Sequence, residues 1–242
     1  MEQAAHVRLR ALQDQHWWFE GRRRILSQVL ADLEPPPAAR ILEVGCGSGG
    51  NLKMLGRFGR VTGIEPDAGA RDHAAALGAV SVRDGSLPDN LPFAPASFDL
   101  VCAFDVIEHV ADDRASVAAL ARLVGRGGYV AATVPAYGWM WSAHDVEHHH
   151  QRRYDRAGFQ ALFQDAGLTV VKASHFNTLL LPIAVAARWI KAVLGLHTPD
   201  DAMPAPWINR VLLGVLGSER GWLRRGSLPL GLSILVIARR DA

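Results

Sequence analysis

Short apolar runs alternate with amphipathic stretches, and this pattern limits most strongly how the 242-residue chain can fold. Seven runs have the length and apolar content of buried strands: 39–45, 59–65, 78–83, 97–104, 127–135, 168–176 and 230–240. Four amphipathic segments favour helices between them: 49–58, 67–77, 113–124 and 156–166. Strand–helix alternation is typical of a parallel sheet with helices on both faces. The sequence therefore predicts an α/β fold with a seven-stranded, doubly wound sheet.

The remaining segments predict helical additions to one domain that spans residues 1–242. Residues 9–33 favour a helix that the proline-rich stretch 34–39 ends, so residues 1–36 are expected to form an N-terminal helical cap. Residues 37–135 form the expected ligand-binding core, and residues 136–242 the substrate side. The apolar, proline-containing segment 176–228 favours a helical insertion before the last strand, 230–240.

Composition excludes several classes of protein. A hydrophobic content of 49% with a net charge of +2 argues against disorder. The longest apolar run contains Pro182 and is shorter than the roughly 18 residues of a spanning helix. The first residues lack an apolar signal core, and two cysteines cannot form a disulfide framework, so a cytoplasmic location is expected. Acidic residues dominate the middle of the chain, which argues against a nucleic-acid partner.

A glycine-rich loop joins the first predicted strand to a helix. Such a loop brings a ligand close to bare backbone and offers free N–H groups. Gly45, Gly47 and Gly50 satisfy the dinucleotide fingerprint G-x-G-x-x-G. Gly45, Gly47 and Gly49 equally satisfy the E/D-x-G-x-G-x-G pattern of S-adenosylmethionine (SAM) sites. The loop alone leaves both ligands open.

Two acids at the ends of predicted strands belong to the same expected site as this loop. Glu43 lies two residues before Gly45, where a carboxylate would repel a pyrophosphate but could hold a cationic ligand through its ammonium or through water. Glu65 ends the second predicted strand, and an acid there bonds ribose hydroxyls in either ligand class. Glu65 therefore supports a nucleoside, and Glu43 favours SAM over a dinucleotide.

Residues 40–135 resemble class I SAM-dependent methyltransferases of the UbiE/UbiG-like (type 11) kind. The matching segments are ILEVGCGSGGNL (41–52), VTGIEPD (61–67), LPFAPASFDLV (91–101), FDVIEHVADD (104–113) and GRGGYVAATVP (125–135). The flanks HWWFEGRRRIL (16–26) and HHHQRRY (148–154) resemble a bacterial subgroup of these enzymes. The resemblance implies a Rossmann-like methyltransferase fold with an antiparallel last strand. It also implies SAM as the methyl donor and S-adenosyl-L-homocysteine as the product.

The resemblance also implies a set of residues around SAM. Four segments share this role: Glu43 near the ammonium with Gly45, Cys46, Gly47 and Gly49 under the methionine part; Glu65 and Pro66 at the ribose and adenine; Asp84, Gly85, Ser86 and Leu87 at the adenine edge; and Phe104 with Asp105 at the methyl-donating end. The family often has an acid where Ser86 stands, and Asp84 is close enough to substitute for it.

Methyl transfer is an in-line displacement, which requires an acceptor about 3–3.5 Å from the methyl group and the exclusion of water. An oxygen or nitrogen acceptor can also require a base. His109 occupies the family's E-H position, and the unperturbed pKa of histidine lies near neutrality, so His109 is the first choice for that base. A structural role for His109, with catalysis by proximity, is the alternative. The candidate catalytic residues are His109, Asp105, His144 and His150.

The segment after the fifth strand predicts a polar substrate pocket. The candidate substrate-binding residues are Trp17, Trp18, His109, Tyr137, His144, Arg153 and Tyr154. His144 and His148 have the i, i+4 spacing of a metal pair on a helix. No cysteine lies nearby, and no metal is expected. The apolar insertion is expected to form a substrate pocket or a dimer face, and a peripheral membrane contact stays open.

The sequence thus predicts SAM-dependent methylation of a small molecule, most readily at oxygen, with an apolar or carrier-linked acceptor among the candidates. No transmembrane segment is expected. One alternative is an NAD(P)-dependent oxidoreductase that uses the same glycine loop. The other is a SAM-binding protein without methyl transfer.

Overall fold

The computed structural model describes residues 12–78, 80–194 and 202–241. Its strands are β1 (Ala39–Val44), β2 (Gly59–Ile64), β3 (Ser81–Arg83), β4 (Phe98–Phe104), β5 (Val124–Pro135), β6 (Thr169–Phe176) and β7 (Ser233–Arg239). Its helices are α1 (Trp17–Ala31), α2 (Leu52–Leu55), α3 (Ala68–Ala76), α4 (Asp113–Leu123), α5 (Ala143–Glu147), α6 (Arg156–Asp165), α7 (Leu181–Leu194) and α8 (Pro206–Arg225). Two 3₁₀ turns, Ile107–His109 and Gly138–Met140, follow β4 and β5.

The seven strands form one sheet in the order β3-β2-β1-β4-β5-β7-β6. β1 to β5 run parallel, and β7 lies antiparallel between β5 and β6. This arrangement confirms the predicted α/β sheet with an antiparallel last strand. The strand order reverses between β1 and β4, and ligands bind outside the carboxyl ends of the strands at such a point.

Helices cover both faces of the sheet, so its central strands carry apolar side chains in both directions. In β1, Leu42 packs into the cluster beneath α4 and α6, whereas Ile41 packs into the cluster beneath α1 and α8. Successive side chains of a strand point to opposite faces, which explains why neighbouring residues belong to different clusters.

The elements near the glycine loop are shorter than predicted. The helix expected over 49–58 is the single turn α2, because the glycine loop occupies residues 45–51 before it. Gly45, Gly47 and Gly49 have φ angles of 68°, 53° and 91°, which a right-handed helix does not contain. The expected third strand 78–83 is reduced to β3.

The expected helix 9–33 lies partly outside the described residues, and within them α1 begins at Trp17. His16 caps this helix, since its Nδ1 accepts a hydrogen bond from the Trp18 amide at 3.3 Å. The expected insertion 176–228 contains α7 and α8.

The insertion and the N-terminal segment pack on each other. Gly21 of α1 permits close approach to α8, because a Cβ at this position would lie 2.6 Å from a methyl carbon of Leu216. The Asn209 side chain accepts a hydrogen bond from the Trp17 amide at 2.8 Å. The Trp18 ring stacks on Phe176 with 6.1 Å between ring centroids. α1 and α8 therefore form one layer.

A buried carboxylate ties α8 to the start of the insertion. Glu219 is fully buried and accepts hydrogen bonds from the amides of Asn177, Thr178 and Leu179 at 2.6, 2.7 and 2.8 Å. Three charge-assisted bonds from one segment hold the chain where it leaves β6. This segment borders the cavity at the carboxyl edge of the sheet.

Candidate active site

A cavity of about 990 Å³ lies at the carboxyl edge of the sheet, between the strand-end loops and helices α1 and α7. Its size suits small-molecule ligands. Most of the sequence-predicted site residues line it: Trp17, Trp18, Gly45, Cys46, Gly47, Glu65, Pro66, Gly85, Ser86, Leu87, Phe104, Asp105, His109, His144, His150 and Arg153.

Five other predicted residues do not line the cavity. They are Glu43, Gly49, Asp84, Tyr137 and Tyr154. Gly49 packs against α3, where a Cβ would lie 3.2 Å from the Ala74 Cα. Asp84 is exposed and pairs with Arg71 at 3.0 Å.

The two tyrosines belong to packing contacts beside the cavity. Tyr137 stacks on His175 with 5.5 Å between ring centroids. The Tyr154 hydroxyl donates to Asp113 at 3.0 Å. Both tyrosines therefore support the wall of the substrate side from behind.

The glycine loop offers open space at one position. A Cβ on Gly47 would have no neighbour within 4 Å among the described residues, whereas a Cβ on Gly45 would lie 2.6 Å from Val106. The Gly47 amide donates to one oxygen of Glu65 at 2.8 Å, and the Asp67 amide donates to the other at 3.0 Å. Carboxylate oxygens accept more than one hydrogen bond, so Glu65 keeps capacity for further donors.

Glu43 lies just behind the loop and is buried. The Asn51 amide group donates to its Oε1 at 2.7 Å, while its Oε2 has no hydrogen-bond partner in the described part of the chain. Burial raises the pKa of this carboxyl to about 7. Asn51 itself lines the cavity. A buried acceptor without a donor, one residue behind the cavity, suits a cationic or hydrogen-donating ligand group.

An arginine of α1 reaches across the cavity to the end of β4. The buried Arg22 guanidinium donates to Asp105, whose other oxygen accepts from Thr133 at 3.0 Å. Burial lowers the pKa of Arg22 to about 10. Sequence reasoning missed this residue. Arg22 is one of three consecutive arginines, and the sequence alone does not say which of them points inward.

A polar corner forms where the turn after β4 meets the segment after α5. The rings of His109 and His150 lie 4.7 Å apart at 82°. Glu108 is fully buried, and neither of its carboxylate oxygens has a hydrogen-bond partner among the described residues. One ligand atom from each of these three side chains lies within 4.8 Å of the others. Burial raises the pKa of Glu108 to about 8 and lowers that of His109 to about 4.

Asp145 organises this corner from behind. It is fully buried, and its Oδ1 lies 2.8 Å from the His150 Nδ1. Arg153 donates to both of its oxygens, at 2.7 and 3.0 Å. The bonds with His150 and Arg153 hold the pKa of Asp145 well below its usual range despite burial. His144 and His148 lie beside it with ring centroids 4.2 Å apart. The sequence predicted the histidines and Arg153 as site residues, but not the complete burial of Glu108 and Asp145.

Comparison with known proteins identifies the family. A family profile described as a methyltransferase domain matches residues 16–173, well over half of the chain. The chain belongs to the class I SAM-dependent methyltransferases. A ubiquinone biosynthesis O-methyltransferase of Paracidovorax citrulli is 35% identical over 47% of this chain and 54% of its own length. The chain thus matches only about half of that relative.

A further relative and a solved structure align over most of this chain. A probable SAM-dependent methyltransferase of Mycolicibacterium smegmatis is 29% identical over 84% of this chain and 79% of its own length. A Haloferax volcanii methyltransferase solved with the activator Trm112 superposes with a TM-score of 0.64 and 21% identity, covering 99% and 96% of the two chains. The latter likeness shows the fold.

SAM is therefore the cofactor of this methyltransferase. Two features of the site fit this cofactor. The open space at Gly47 leaves room for a ligand directly against the backbone. The unpaired oxygen of Glu43 suits an ammonium group. Among the described residues, no helix is long and apolar enough to cross a bilayer.

Proposed function

We propose that this methyltransferase methylates a hydroxyl group of a small, partly apolar acceptor bound beside the polar corner. The observation that carries this proposal is the position of Glu108, His109 and His150 on the same cavity as the glycine loop. All three side chains have groups that can interact with an acceptor's hydroxyl, and they follow β4 and β5, at the methyl-donating end that the family pattern implies.

When bound, SAM supplies an electrophilic methyl group, and the protein residues position it. We assign the loop residues Gly45, Cys46 and Gly47 to its methionine part and Glu43 to its ammonium, while Gly49 packs the loop on α3. Glu65 and Pro66 receive the ribose and adenine, and Gly85, Ser86 and Leu87 the adenine edge, whereas Asp84 lies outside the cavity lining and pairs with Arg71. Phe104 and Asp105 border the methyl group. Asp105 is held by Arg22 and Thr133, so its orientation is fixed before binding.

The acceptor is assigned to the opposite half of the cavity. Its hydroxyl lies at the polar corner, where His109 and His150 act on it. Trp17, Trp18, His144 and Arg153 surround it, with Tyr137 and Tyr154 supporting this wall. Apolar side chains of the insertion continue the cavity: Leu180, Ile183, Ala184, Ala187 and Leu212. A wall of this composition favours an apolar or carrier-linked acceptor and excludes water from the reacting groups.

The test is methyl transfer from SAM carrying a tritiated methyl group to a panel of apolar phenols and alcohols, with matched amines and carboxylic acids. We expect label in ethers and stoichiometric S-adenosyl-L-homocysteine. His109→Ala should lower kcat roughly 10²–10⁴-fold with little change in SAM affinity. His73→Ala, on α3 outside the cavity lining, is the matched control. Label confined to amines or carboxylates would refute the hydroxyl assignment.

A further inference from the structure

The structure assigns a divalent metal site to Glu108, His109 and His150. We propose that these three side chains bind one borderline divalent cation, such as Zn²⁺, Mn²⁺ or Fe²⁺, beside the SAM methyl group. This inference rests on the proposed function and specifies how the polar corner acts on the acceptor's hydroxyl. It departs from the sequence expectation that no metal is present.

The donor atoms of the three side chains already converge. One from each lies within 4.8 Å of the other two, so small rotations bring them around a common ion. Two imidazoles and one carboxylate form a ligand set that first-row divalent metals accept with open positions left for substrate. All three residues line the cavity, so those open positions face bound ligand.

Glu108 supplies a second and separate observation. Its side chain is completely buried, and both carboxylate oxygens lack a hydrogen-bond partner among the described residues. Buried polar groups are almost always paired, and a carboxylate without a donor is costly. The charges of Arg22 and Arg153 act on Glu108 without a hydrogen bond among the described residues, and a cation between Glu108 and the two imidazoles gives these oxygens a direct partner.

The environment of His150 prepares it for a metal. Its Nδ1 lies 2.8 Å from Asp145 Oδ1, so when Nδ1 donates to this carboxylate the neutral ring offers Nε2 as the metal-binding nitrogen. Asp145 is locked by two hydrogen bonds from Arg153 and accepts the Ser142 amide at 2.8 Å. A carboxylate behind a histidine in this way orients metal-bound imidazoles in many sites.

This site differs from the pair that helical spacing singled out. His144 and His148 pack against each other, with 4.2 Å between ring centroids and 43° between ring planes, and lie beside the converging set rather than in it. The proposed ligands come from two segments 41 residues apart in sequence, since His109 follows β4 and His150 follows α5. Only the tertiary structure brings them together.

The chemistry balances without a redox change. The acceptor's hydroxyl oxygen binds the cation and loses its proton, which leaves through the cavity mouth to solvent. The oxygen's electron pair then forms the C–O bond to the methyl carbon as the C–S bond breaks. The pair from that bond stays on sulfur and produces a neutral thioether. The cation keeps its charge throughout, and the histidines serve as ligands.

The test is direct metal binding by the full chain without acceptor. Chelator-treated protein is titrated with Zn²⁺ by calorimetry and with Co²⁺ by visible absorption. We expect one ion per chain, loss of binding in Glu108→Gln and in His150→Ala, and 10–100-fold weaker binding in Asp145→Asn. His73→Ala is the histidine control, and SAM affinity of each variant shows that it is folded.

The outcomes separate the site from the proposed function. No bound ion, or binding that survives Glu108→Gln and His150→Ala, would overturn the metal site, and O-methylation by chelator-treated protein would then leave the proposed function intact. Stoichiometric binding that both variants abolish supports the site even if no hydroxyl acceptor is methylated.

Discussion

Single residues in the glycine loop decide where a ligand can lie. Gly47 combines a φ of 53° with open space in front of its Cα, whereas Gly45 and Gly49 have side chains or backbone against them. The first condition favours glycine on conformational grounds, and the second leaves volume for SAM. A substitution at Gly47 therefore has two effects that a matched control must separate.

Gly47→Val is expected to reduce SAM affinity at least 100-fold, because the added side chain enters the volume proposed for the ligand. Gly167→Val is the control, since Gly167 also has a positive φ of 78° and nothing within 4 Å, but lies in an exposed turn after α6. Both variants should lose similar stability in urea. Equal SAM affinities by calorimetry would contradict our placement of the methionine part.

Glu43 is expected to make the ligand-free protein less stable at alkaline pH. Burial raises its folded pKa from 4.5 to about 7, and this outweighs the opposing influence of Asn51 and Arg22. The folded state therefore holds a proton that the unfolded chain has released. The stabilisation is complete below pH 4.5 and is lost as pH rises through about 7.

Glu43→Gln removes this dependence. The stability of the native protein relative to the variant should fall by on the order of 3 kcal/mol between pH 4.5 and 8. Urea denaturation without SAM measures this difference, in which the contribution of Glu108 cancels. A difference that stays constant across this range would show that Glu43 is already ionised in the fold.

At the scale of elements, the ion pair between Arg22 and Asp105 attaches α1 to the end of β4. Arg22 reaches Asp105 from the buried face of α1, whereas Arg23 and Arg24 on the same helix pair with Glu20. The pair joins the N-terminal cap to the end of β4, so the position of the helix and the orientation of Asp105 depend on each other.

Arg22→Met is expected to destabilise the protein by about 3 kcal/mol, because it leaves Asp105 without its charged partner. SAM binding should weaken and SAM should dissociate faster, since α1 is one wall of the cavity. Arg24→Met on the same helix removes a more exposed pair and should cost under about 1 kcal/mol. Thermal unfolding and stopped-flow SAM release compare the two, and similar behaviour would exclude the anchoring role.

At the scale of the whole molecule, the cavity is closed by segments from both ends of the chain. Residues of α1, of the segments that follow β1 to β6 and of α7 line the same cavity. The α1–α8 contact and the bonds of Glu219 hold these segments on the sheet. A ligand in this cavity therefore contacts parts of the chain that are distant in sequence.

SAM binding is expected to slow amide hydrogen exchange in the glycine loop and in α1 together. The reason is that a bound ligand lowers the population of open states on every wall it contacts. At 100 times its Kd, SAM should add about 2.7 kcal/mol to the unfolding free energy. Mass spectrometry after peptic digestion measures the pattern. Protection confined to the glycine loop would mean that α1 is not part of the SAM site.

The sequence by itself determined the strand–helix order, the glycine loop and the family. These features depend on local periodicity and on short-range spacing, both of which can be read from the sequence without the tertiary structure. The location of His109 and His150 on the cavity was also predicted from the sequence. Both residues come after strands whose carboxyl ends lie at the edge where this architecture binds ligands. The shortness of α2 was not predicted, because positive φ angles in the glycine loop delay the helix.

Only the tertiary structure decided which polar groups meet. Arg22 is one of three adjacent arginines, and its partner Asp105 is 83 residues away. Glu108 looks like a surface acid beside His109 until folding buries it completely. A short turn brings Asp145 into hydrogen-bonding distance of His150 and Arg153. Sequence periodicity does not predict the shape of this turn. The charge and hydrogen-bonding capacity of a side chain can be read from the sequence. Its burial and its long-range partners arise only when the chain packs, and these set the energy of its interactions.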